Sequence, residues 1–522
     1  MGVSWFLLLC IGVMIVVLLA INVYMLVHWS HPDDKNEAYF PKALVIFGLL
    51  LAEACVLAVP LDVANNSSNI GCTQGWVQSC GGLDMSLFWQ IMYVLITVIC
   101  VAILPFAIFY YEDDDGLTEG KGQAFCGAVK YTAVCLFASA LVVGLCYFFI
   151  GRVRLPVLEV PASMVDLTVH SLGTPRNATL DSSEIALAGA LMKDSFRTRI
   201  SFQSTFIVYM IALVSFVGWF LFAIFGGVGL AALPMDLITA FTTRPKPMPA
   251  EELAHEQLLL QARVADLIEV GHLVQSERKD RRSKGGNFLA RTVAERSERN
   301  TLLKFKQMVY MLESDYEKFR AAKDMGKYNP LWPVGMLLLG MLASILTVMW
   351  VLHVIVYMFF FPPLSQFLNQ YFIQFDEWFP LFGVVSVAIF VLYLLFCVVA
   401  GNFKLGVRFL CVELHPMKIN GTYMNSFLFN LILILLCTFP VVEFSTSAFA
   451  GYARFSNIYH FFGVQMRYLI FFSIFYTNNI FVYMLLGFCF LATLYFIKTP
   501  RDKPVEAEEV KQSLRRRRKI SR

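Results

Sequence analysis

Residues 380–401, PLFGVVSVAIFVLYLLFCVVAG, form an uninterrupted apolar stretch without a charged side chain. A helix of about 20 such residues crosses the roughly 30 Å hydrocarbon core of a bilayer. Because lipid offers no partner to backbone N–H and C=O groups, the stretch predicts a membrane-spanning helix. Similar stretches recur and predict nine spans, at about 5–28, 42–62, 86–110, 128–150, 203–225, 331–360, 380–401, 424–448 and 478–497.

The composition agrees with a membrane protein. Of the 522 residues, 58% are hydrophobic and only 15% are charged, and the mean hydropathy is +0.63. These values lie outside the range of an ordinary soluble domain. The alternation of about 10 residues that marks outer-membrane barrels is absent. The predicted fold class is therefore an all-α, polytopic integral membrane protein with about nine transmembrane helices.

The distribution of basic residues predicts the orientation of these spans. Most of the 42 Lys and Arg residues fall in alternate connecting segments, above all in 244–327 and in the RRRRK run at 515–519. Short segments rich in Lys and Arg mark the cytosolic side of a membrane. We therefore expect a cytosolic C-terminus and an N-terminus on the outer or luminal side. No basic residue precedes the first apolar run, which favours an uncleaved span over a signal peptide.

This orientation places two loops, 63–85 and 151–200, on the outer side. Asn65, Asn66 and Asn177 each begin an N-x-S/T pattern, which is a glycosylation acceptor on that side. Cys72 and Cys80 share the first loop, where they would form a disulfide or remain two free thiols. No other signature is present in 151–200.

Two further apolar regions complicate the count of spans. The run from 202 to 241 is twice as long as one crossing needs, and it contains residues that disfavour a helix, namely Gly226, Gly227, Gly229 and Pro234. We expect the helix to break there and to continue along the inner interface. Arg467 interrupts the run 458–476, which predicts a short outer-face helix or a re-entrant segment.

The segment 250–325 is the one substantial soluble region. Apolar residues recur there at alternating steps of three and four, as in a coiled-coil seam. SKGG at 283–286 predicts a turn between two helices, hence a cytosolic antiparallel hairpin. Such a hairpin would be a docking arm for a protein partner or a stalk that connects two membrane halves. The predicted seam positions are Leu260, Val264, Leu267, Gly271 and Val274 in the first helix and Phe305, Val309, Leu312, Tyr316 and Phe319 in the second.

The chain is thus expected to contain an N-terminal membrane half, the hairpin region, a C-terminal membrane half and a basic tail, with boundaries at 1–241, 242–330, 331–497 and 498–522. The tail contains five consecutive basic residues, Arg515, Arg516, Arg517, Arg518 and Lys519. Such a cluster beside a span attracts anionic lipid, and Arg-x-Arg spacing is also a sorting signal. A nucleic-acid role is not expected for a tail tethered to a membrane.

Four of the ionisable residues within predicted spans are candidate site residues: Glu53, Asp62, His353 and Glu443. An ionisable group in a membrane is costly and faces the protein interior or a water-filled cavity. Glu53 and Asp62 would form a site for a cation, a proton or polar cargo, or would hydrogen-bond neighbouring helices. If the sixth and eighth spans touch, His353 and Glu443 could pair in a relay; otherwise His353 is a core histidine. Metalloprotease, hydrolase, phosphate-loop and CxxC motifs are absent, so neither an enzyme nor a cofactor or metal site is predicted.

Several segments resemble the LIMR family of membrane proteins. They are HPDDKNEAYFPK at 31–42, VPLDVANN at 59–66, ILPFAIFYYEDDDG at 103–116, FGGVGLAALPMDLITAF at 225–241, IVYMFFFPPLSQFLN at 355–369 and HPMKINGTYMNSFLFN at 415–430. Their polar residues and prolines fall at fixed spacings, so the likeness is not one of apolar composition alone. The family includes a lipocalin-interacting membrane receptor and a lysosomal cobalamin escort protein.

The resemblance implies nine spans with an outer N-terminus and a long cytosolic loop between the fifth and sixth spans. It also implies a receptor, adaptor or escort role at the plasma membrane or in endosomes and lysosomes. The cargo would be endocytosed, or the partner would be a transporter, as in cobalamin export from lysosomes. The alternative is a small-solute transporter or channel that uses the polar residues within the spans.

Overall fold

A computed structural model provides the structure of the chain. It describes residues 5–30, 39–67, 84–113, 121–159, 196–242, 244, 249–282, 331–360, 362–379, 382–405, 407–409, 412–415, 417, 422–453 and 456–498, together with single positions between 305 and 323. Contacts divide the chain into two compact units. The first comprises Met1–Leu233 with Ile345–Ala492, and the second comprises Pro234–Ser344 with Thr493–Arg522.

The described residues include nine helices long and apolar enough to cross a membrane, which confirms the predicted fold class. Each matches one predicted span. A short π-helical segment continues the third span between its two α-helical parts, and another ends the sixth. The helices are Trp5–Trp29, Tyr39–Ser67, Met85–Val98 with Leu104–Asp113, Lys121–Ile150, Phe206–Thr242, Leu331–His353, Phe382–Leu405, Met424–Ala448 and Ile480–Lys498.

The fifth span is one continuous helix, Phe206–Thr242, so the predicted break at its glycines is wrong. The glycines allow close packing between helices. A Cβ at Gly229 would overlap the backbone carbonyl of Cys397 in the seventh span, and one at Gly227 would lie 2.6 Å from the carbonyl of Leu485 in the ninth. In lipid a helix keeps its own hydrogen bonds through glycine, since breaking them leaves unpaired groups. Pro234 likewise lies inside the helix.

The core of the first unit lies among the second, seventh and eighth spans. Most side chains of the seventh and eighth spans are buried. Aromatic rings fill the space at the C-terminal end of the eighth span, where Trp350 contacts Phe444 and Phe449 at centroid distances of 5.4 and 4.8 Å. The fourth span, by contrast, leaves most of its surface exposed, with Phe137 and Phe148 73% and 75% exposed.

Short helices connect the later spans. Phe367–Trp378 lies between the sixth and seventh spans, and Ala450–Ala453, Asn457–His460 and Phe472–Thr477 lie between the eighth and ninth. A π-helical turn, Phe461–Met466, follows Asn457–His460. Each helix in 458–476 is too short to cross a bilayer, as its interruption by Arg467 predicts.

The described residues also form two short antiparallel strand pairs that the sequence analysis does not predict. β1 (Arg152–Glu159) pairs with β2 (Phe196–Gln203) between the fourth and fifth spans. β3 (Val407–Phe409) pairs with β4 (Val412–His415) between the seventh and eighth. Both pairs lie in connections, where backbone hydrogen bonds between strands satisfy groups that a helix would satisfy internally.

The second unit contains the hairpin. Its first helix is Ala250–Arg282, and its packing partner includes the described positions between 305 and 323. The two run antiparallel: Phe305 lies near Gly271, whereas the Arg263 guanidinium lies 2.9 Å from the carboxylate of Asp315. Val270 and Met308 are buried at the centre of the contact.

The predicted seam register is partly wrong. Val264, Val309 and Tyr316 are 41%, 38% and 55% exposed, while Val270 and Met308 are buried. In the second helix the seam therefore uses positions 308 and 315, one residue before those predicted. A heptad with apolar residues at adjacent positions, such as Met308 and Val309, allows either register.

The close approach of the fifth and seventh spans gives a stability prediction. Gly229→Ala and Gly401→Ala each place a methyl group against a backbone carbonyl, that of Cys397 or Phe225, which no rotamer change relieves. We expect each to lower the free energy of unfolding by about 1–3 kcal/mol. Thermal unfolding of the purified proteins in one detergent measures the effect.

Gly144→Ala in the fourth span is the matched control, since a Cβ there meets no atom within 4 Å. It should leave stability unchanged or raise it slightly, because alanine favours helix. Equal stability of all three variants would contradict the close contact.

Candidate functional site

The four candidate residues of the spans are all buried in the first unit. Glu53, Asp62, His353 and Glu443 are 3%, 0%, 0% and 5% exposed. Each has hydrogen-bond partners on a different neighbouring segment, so they do not converge on one site. Since burying a carboxylate without partners is costly, these partners decide what each residue can do.

Glu53 joins the first two spans. The Asn22 side-chain amide donates to Glu53 Oε2 at 2.8 Å, and both residues are buried. Most described side chains of the first span are exposed, so this bond is its main polar attachment to the second span. Sequence reasoning missed Asn22, although an amide within an otherwise apolar span is a detectable signal.

Asp62 joins three segments of the chain. Its carboxylate accepts from Trp89 Nε1 at 3.0 Å and from the backbone N–H groups of Asn457 and Ile458 at 3.3 and 2.9 Å. These N–H groups open the helix Asn457–His460, where unpaired donors and the helix dipole favour a negative charge. Asp62 therefore fixes the segment after the eighth span to the second and third spans.

Glu443 accepts hydrogen bonds from the fifth span. Ser215 Oγ and Trp219 Nε1 donate to Glu443 Oε2 at 2.9 and 2.8 Å. The Tyr476 hydroxyl also hydrogen-bonds the carboxylate, and burial together with this negative charge raises the pKa of the tyrosine well above its usual value. Gly218 lets the two spans meet, because its Cα packs against the backbone of Leu436.

His353 does not pair with Glu443, so the predicted relay is not formed. The sixth and eighth spans do meet, but His353 Nε2 lies 2.9 Å from the backbone carbonyl of Ala448. A ring nitrogen facing a carbonyl carries the proton, which makes Nδ1 an acceptor. Within the described part of the chain, Nδ1 has no hydrogen-bond partner. The ring stacks on Tyr357 at 5.0 Å, as expected of a core histidine.

Sequence reasoning missed a polar group near His353. Asn369, in the helix after the sixth span, is 1% exposed, and neither atom of its amide group has a partner among the described residues. Nearby, Tyr452 donates to Asp376, whose other oxygen accepts from the Gly383 N–H at 2.8 Å. Burial and Asp376 raise the pKa of Tyr452. These residues lie in connections, where their sequence carries no distinguishing pattern.

The arrangement is suited to holding helices together. Three carboxylates accept hydrogen bonds from other segments, and among the described residues no three His, Cys, Asp or Glu side chains are placed to hold a metal ion. Asn65 lies near the end of the second span and is half-buried. Other predicted site positions fall outside the described residues or their described side chains: Asn66, Cys72, Cys80, Asn177, Arg515, Arg516, Arg517, Arg518 and Lys519.

Comparison with known proteins covers nearly the whole chain. The family model described as LMBR1-like membrane protein matches residues 7–284 and 251–496. The chain belongs to this LMBR1-like family. LMBR1-like membership agrees with the nine helices and supports an integral membrane protein.

Similar relatives are LIMR family proteins from distant organisms. One from Dictyostelium discoideum is 31% identical over 95% of this chain and 98% of its own length. Others from Oryza sativa subsp. japonica and Arabidopsis thaliana are 33% and 34% identical, each over 93% of this chain and 94% of the relative. These matches confirm the resemblance seen in the sequence. No solved structure matches the LMBR1-like chain.

The contacts of Asp62 give a second prediction. Asp62→Ala leaves the Trp89 indole and two backbone N–H groups without an acceptor, and an unpaired buried donor costs about 1–3 kcal/mol. We expect a large loss of thermal stability and faster proteolysis within 456–477. Asp62→Asn is the control, because its amide oxygen can still accept from Trp89 and Ile458. Equal damage by both variants would mean that the charge, rather than the hydrogen bonds, is required.

Proposed function

We propose that this LMBR1-like protein is a membrane adaptor or trafficking escort. In this proposal the spans hold the protein in the plasma membrane or in an endosomal or lysosomal membrane, with the N-terminus outside or in the lumen. The cytosolic hairpin binds a protein partner, and the outer loops engage cargo or the luminal face of a transporter or receptor. Its action is assembly and sorting rather than covalent chemistry.

The observation that carries the proposal is the set of exposed aliphatic residues outside the buried seam of the hairpin helix Ala250–Arg282. Leu258, Leu259 and Ile268 are 64%, 41% and 56% exposed, although the same helix already buries Leu260 and Val270. A helix that only formed a stalk would place polar residues outside its seam. Aliphatic side chains that stay exposed outside the seam of a soluble helix are available to a protein partner.

The polar groups within the spans favour an adaptor over a solute transporter. Glu53, Asp62 and Glu443 accept hydrogen bonds from Asn22, from Trp89 and from Ser215 with Trp219. A carboxylate that binds a transported solute needs oxygens directed toward a path through the membrane. Each of these bonds joins one span to another, which supports a structural role.

The exposed surface of the hairpin gives a test of the proposal. In the full chain, Leu258→Gln, Leu259→Gln and Ile268→Gln together replace these exposed aliphatic side chains and leave the buried Leu260 and Val270 unchanged. We expect at least a tenfold loss of the stoichiometric protein partner that copurifies in mild detergent, with folding unchanged. Quantitative mass spectrometry of the purified material measures the partner.

Gln257→Ala with Gln261→Ala is the matched control, because both side chains are exposed on the same helix. It should retain the partner. Deletion of 260–320 should leave membrane insertion intact and abolish partner recovery. Normal recovery from that deletion would refute the docking role.

Substitution of Glu53 separates an adaptor from a transporter. Glu53→Gln can still accept from the Asn22 amide and can donate to Asn22 Oδ1, which is buried without a partner among described residues. We expect Glu53→Gln to have the same free energy of unfolding as the unchanged protein. Glu53→Leu leaves the Asn22 amide unpaired and should lower the free energy of unfolding by about 1–3 kcal/mol. Thermal unfolding measures this difference. Solute movement into proteoliposomes that Glu53→Gln abolishes, without loss of folded protein, would instead support transport.

A further inference from the structure

The strand pair between the fourth and fifth spans begins and ends at the membrane surface. β1 starts two residues after the fourth span ends at Ile150, and β2 ends three residues before the fifth begins at Phe206. The Ser204 N–H donates to the Gly151 carbonyl at 3.0 Å. The Tyr147 hydroxyl donates to the Ser204 carbonyl at 2.9 Å. These bonds fix the base of the pair to the ends of both spans.

A segment after the eighth span holds the other edge of β1. The Arg154 N–H donates to the Tyr468 carbonyl at 3.0 Å, and the Ile470 N–H donates to the Arg152 carbonyl at 3.1 Å. Val153, between the two arginines, is 2% exposed and bridges to Leu469. The backbone at Arg152 and Arg154 is therefore held from both sides.

The register places Arg152 and Arg154 on one face of the pair, which we call the arginine face. Residues directly opposite in an antiparallel pair share a face, and the faces alternate along each strand. The face of Arg152 and Arg154 includes their partners Gln203 and Ser201. Further along the pair, the backbone register brings Pro156 opposite Arg199 and Leu158 opposite Arg197. None of the eight residues paired here is acidic, so these positions of the sequence contain four arginines and no negative charge.

Described side chains confirm that the two faces differ. Arg152 and Arg154 are exposed, and no described carboxylate lies within ion-pair distance of either guanidinium. On the opposite face, Ile200 and Phe202 are 50% and 47% exposed. An element with one cationic and one apolar face beside span ends is suited to a membrane interface.

We propose that this arginine face binds the phosphate groups of anionic phospholipids. The lipids lie in the leaflet where the fourth span ends and the fifth span begins. Arg152 follows the span end by about 7 Å of extended chain, which is the thickness of the headgroup layer. A guanidinium binds phosphate through two parallel hydrogen bonds. Ile200 and Phe202 contact the lipid chains from the other face. Proximity to the headgroups favours lipid over a soluble polyanion.

Lipid titration of the purified full chain tests this proposal. Delipidated protein in detergent is titrated with dioleoyl phosphatidylglycerol or dioleoyl phosphatidylcholine, and bound lipid is counted by native mass spectrometry. Arg152→Gln with Arg154→Gln should weaken the tightest phosphatidylglycerol site roughly 25-fold, about fivefold for each charge. Binding of phosphatidylcholine should not change. Arg152→Lys with Arg154→Lys keeps the charge and should retain most of the affinity.

Two single substitutions test whether the face itself matters. Ser201→Glu adds a carboxylate on the arginine face and should weaken phosphatidylglycerol binding, whereas Thr198→Glu adds one on the opposite face and should have a smaller effect. Equal effects would overturn the assignment of the ligand to this face. Unfolding without added lipid checks that each variant is folded.

Three results would overturn the proposal. The first is unchanged phosphatidylglycerol affinity in the folded Arg152→Gln, Arg154→Gln protein. The second is complete loss of the lipid preference when only Arg515–Arg518 are changed to Gln, which would assign it to the tail. The third is binding of a soluble sulfated oligosaccharide to the arginine face when phosphatidylglycerol does not bind there.

Discussion

Hydrocarbon offers no hydrogen-bond partner to a backbone amide or to a side-chain carboxylate, and this constraint underlies the whole membrane body. It explains why the nine apolar helices in the described part of the chain stay hydrogen-bonded, and why the fifth continues through its glycines and Pro234. It also explains why Glu53, Asp62 and Glu443 are hydrogen-bonded by neighbouring segments. Each carboxylate thus specifies which helices must be adjacent, because a different arrangement would leave buried donors and acceptors unpaired.

Close helix contacts complement these polar links. Gly218, Gly227 and Gly229 of the fifth span lie against backbone atoms of the eighth, ninth and seventh spans, so one helix touches three others at backbone distance. Dispersion contacts of this kind stabilise helices in lipid, where the hydrophobic effect no longer drives their association. The first unit is accordingly well packed inside, and its charged interior residues have protein partners. The surfaces suited to binding lie instead on the hairpin and on the arginine face of β1 and β2.

Sequence reasoning located the spans because span formation depends on local transfer free energy, which a window of about 20 residues reports. It failed at Gly226, Gly227 and Gly229, where helix propensity measured in water predicts a break. In lipid the helix continues, because a break would leave backbone groups without hydrogen-bond partners. It failed again at Val309 and Tyr316, because a heptad with apolar or long side chains at adjacent positions permits two registers. The strands of 152–203 escaped detection, since their alternation of arginine with apolar residues is short and lies in a connection.

The sequence by itself determined the number and approximate positions of the spans, the family and the presence of ionisable residues inside the membrane body. Only the tertiary structure decided that Glu443 accepts from Ser215 and Trp219 rather than pairing with His353, and that Asp62 holds a helix more than 390 residues away. Insertion of a helix is an independent local event, whereas pairing depends on which helices meet. That choice is made by the shapes and hydrogen bonds of all spans together, so no single segment encodes it.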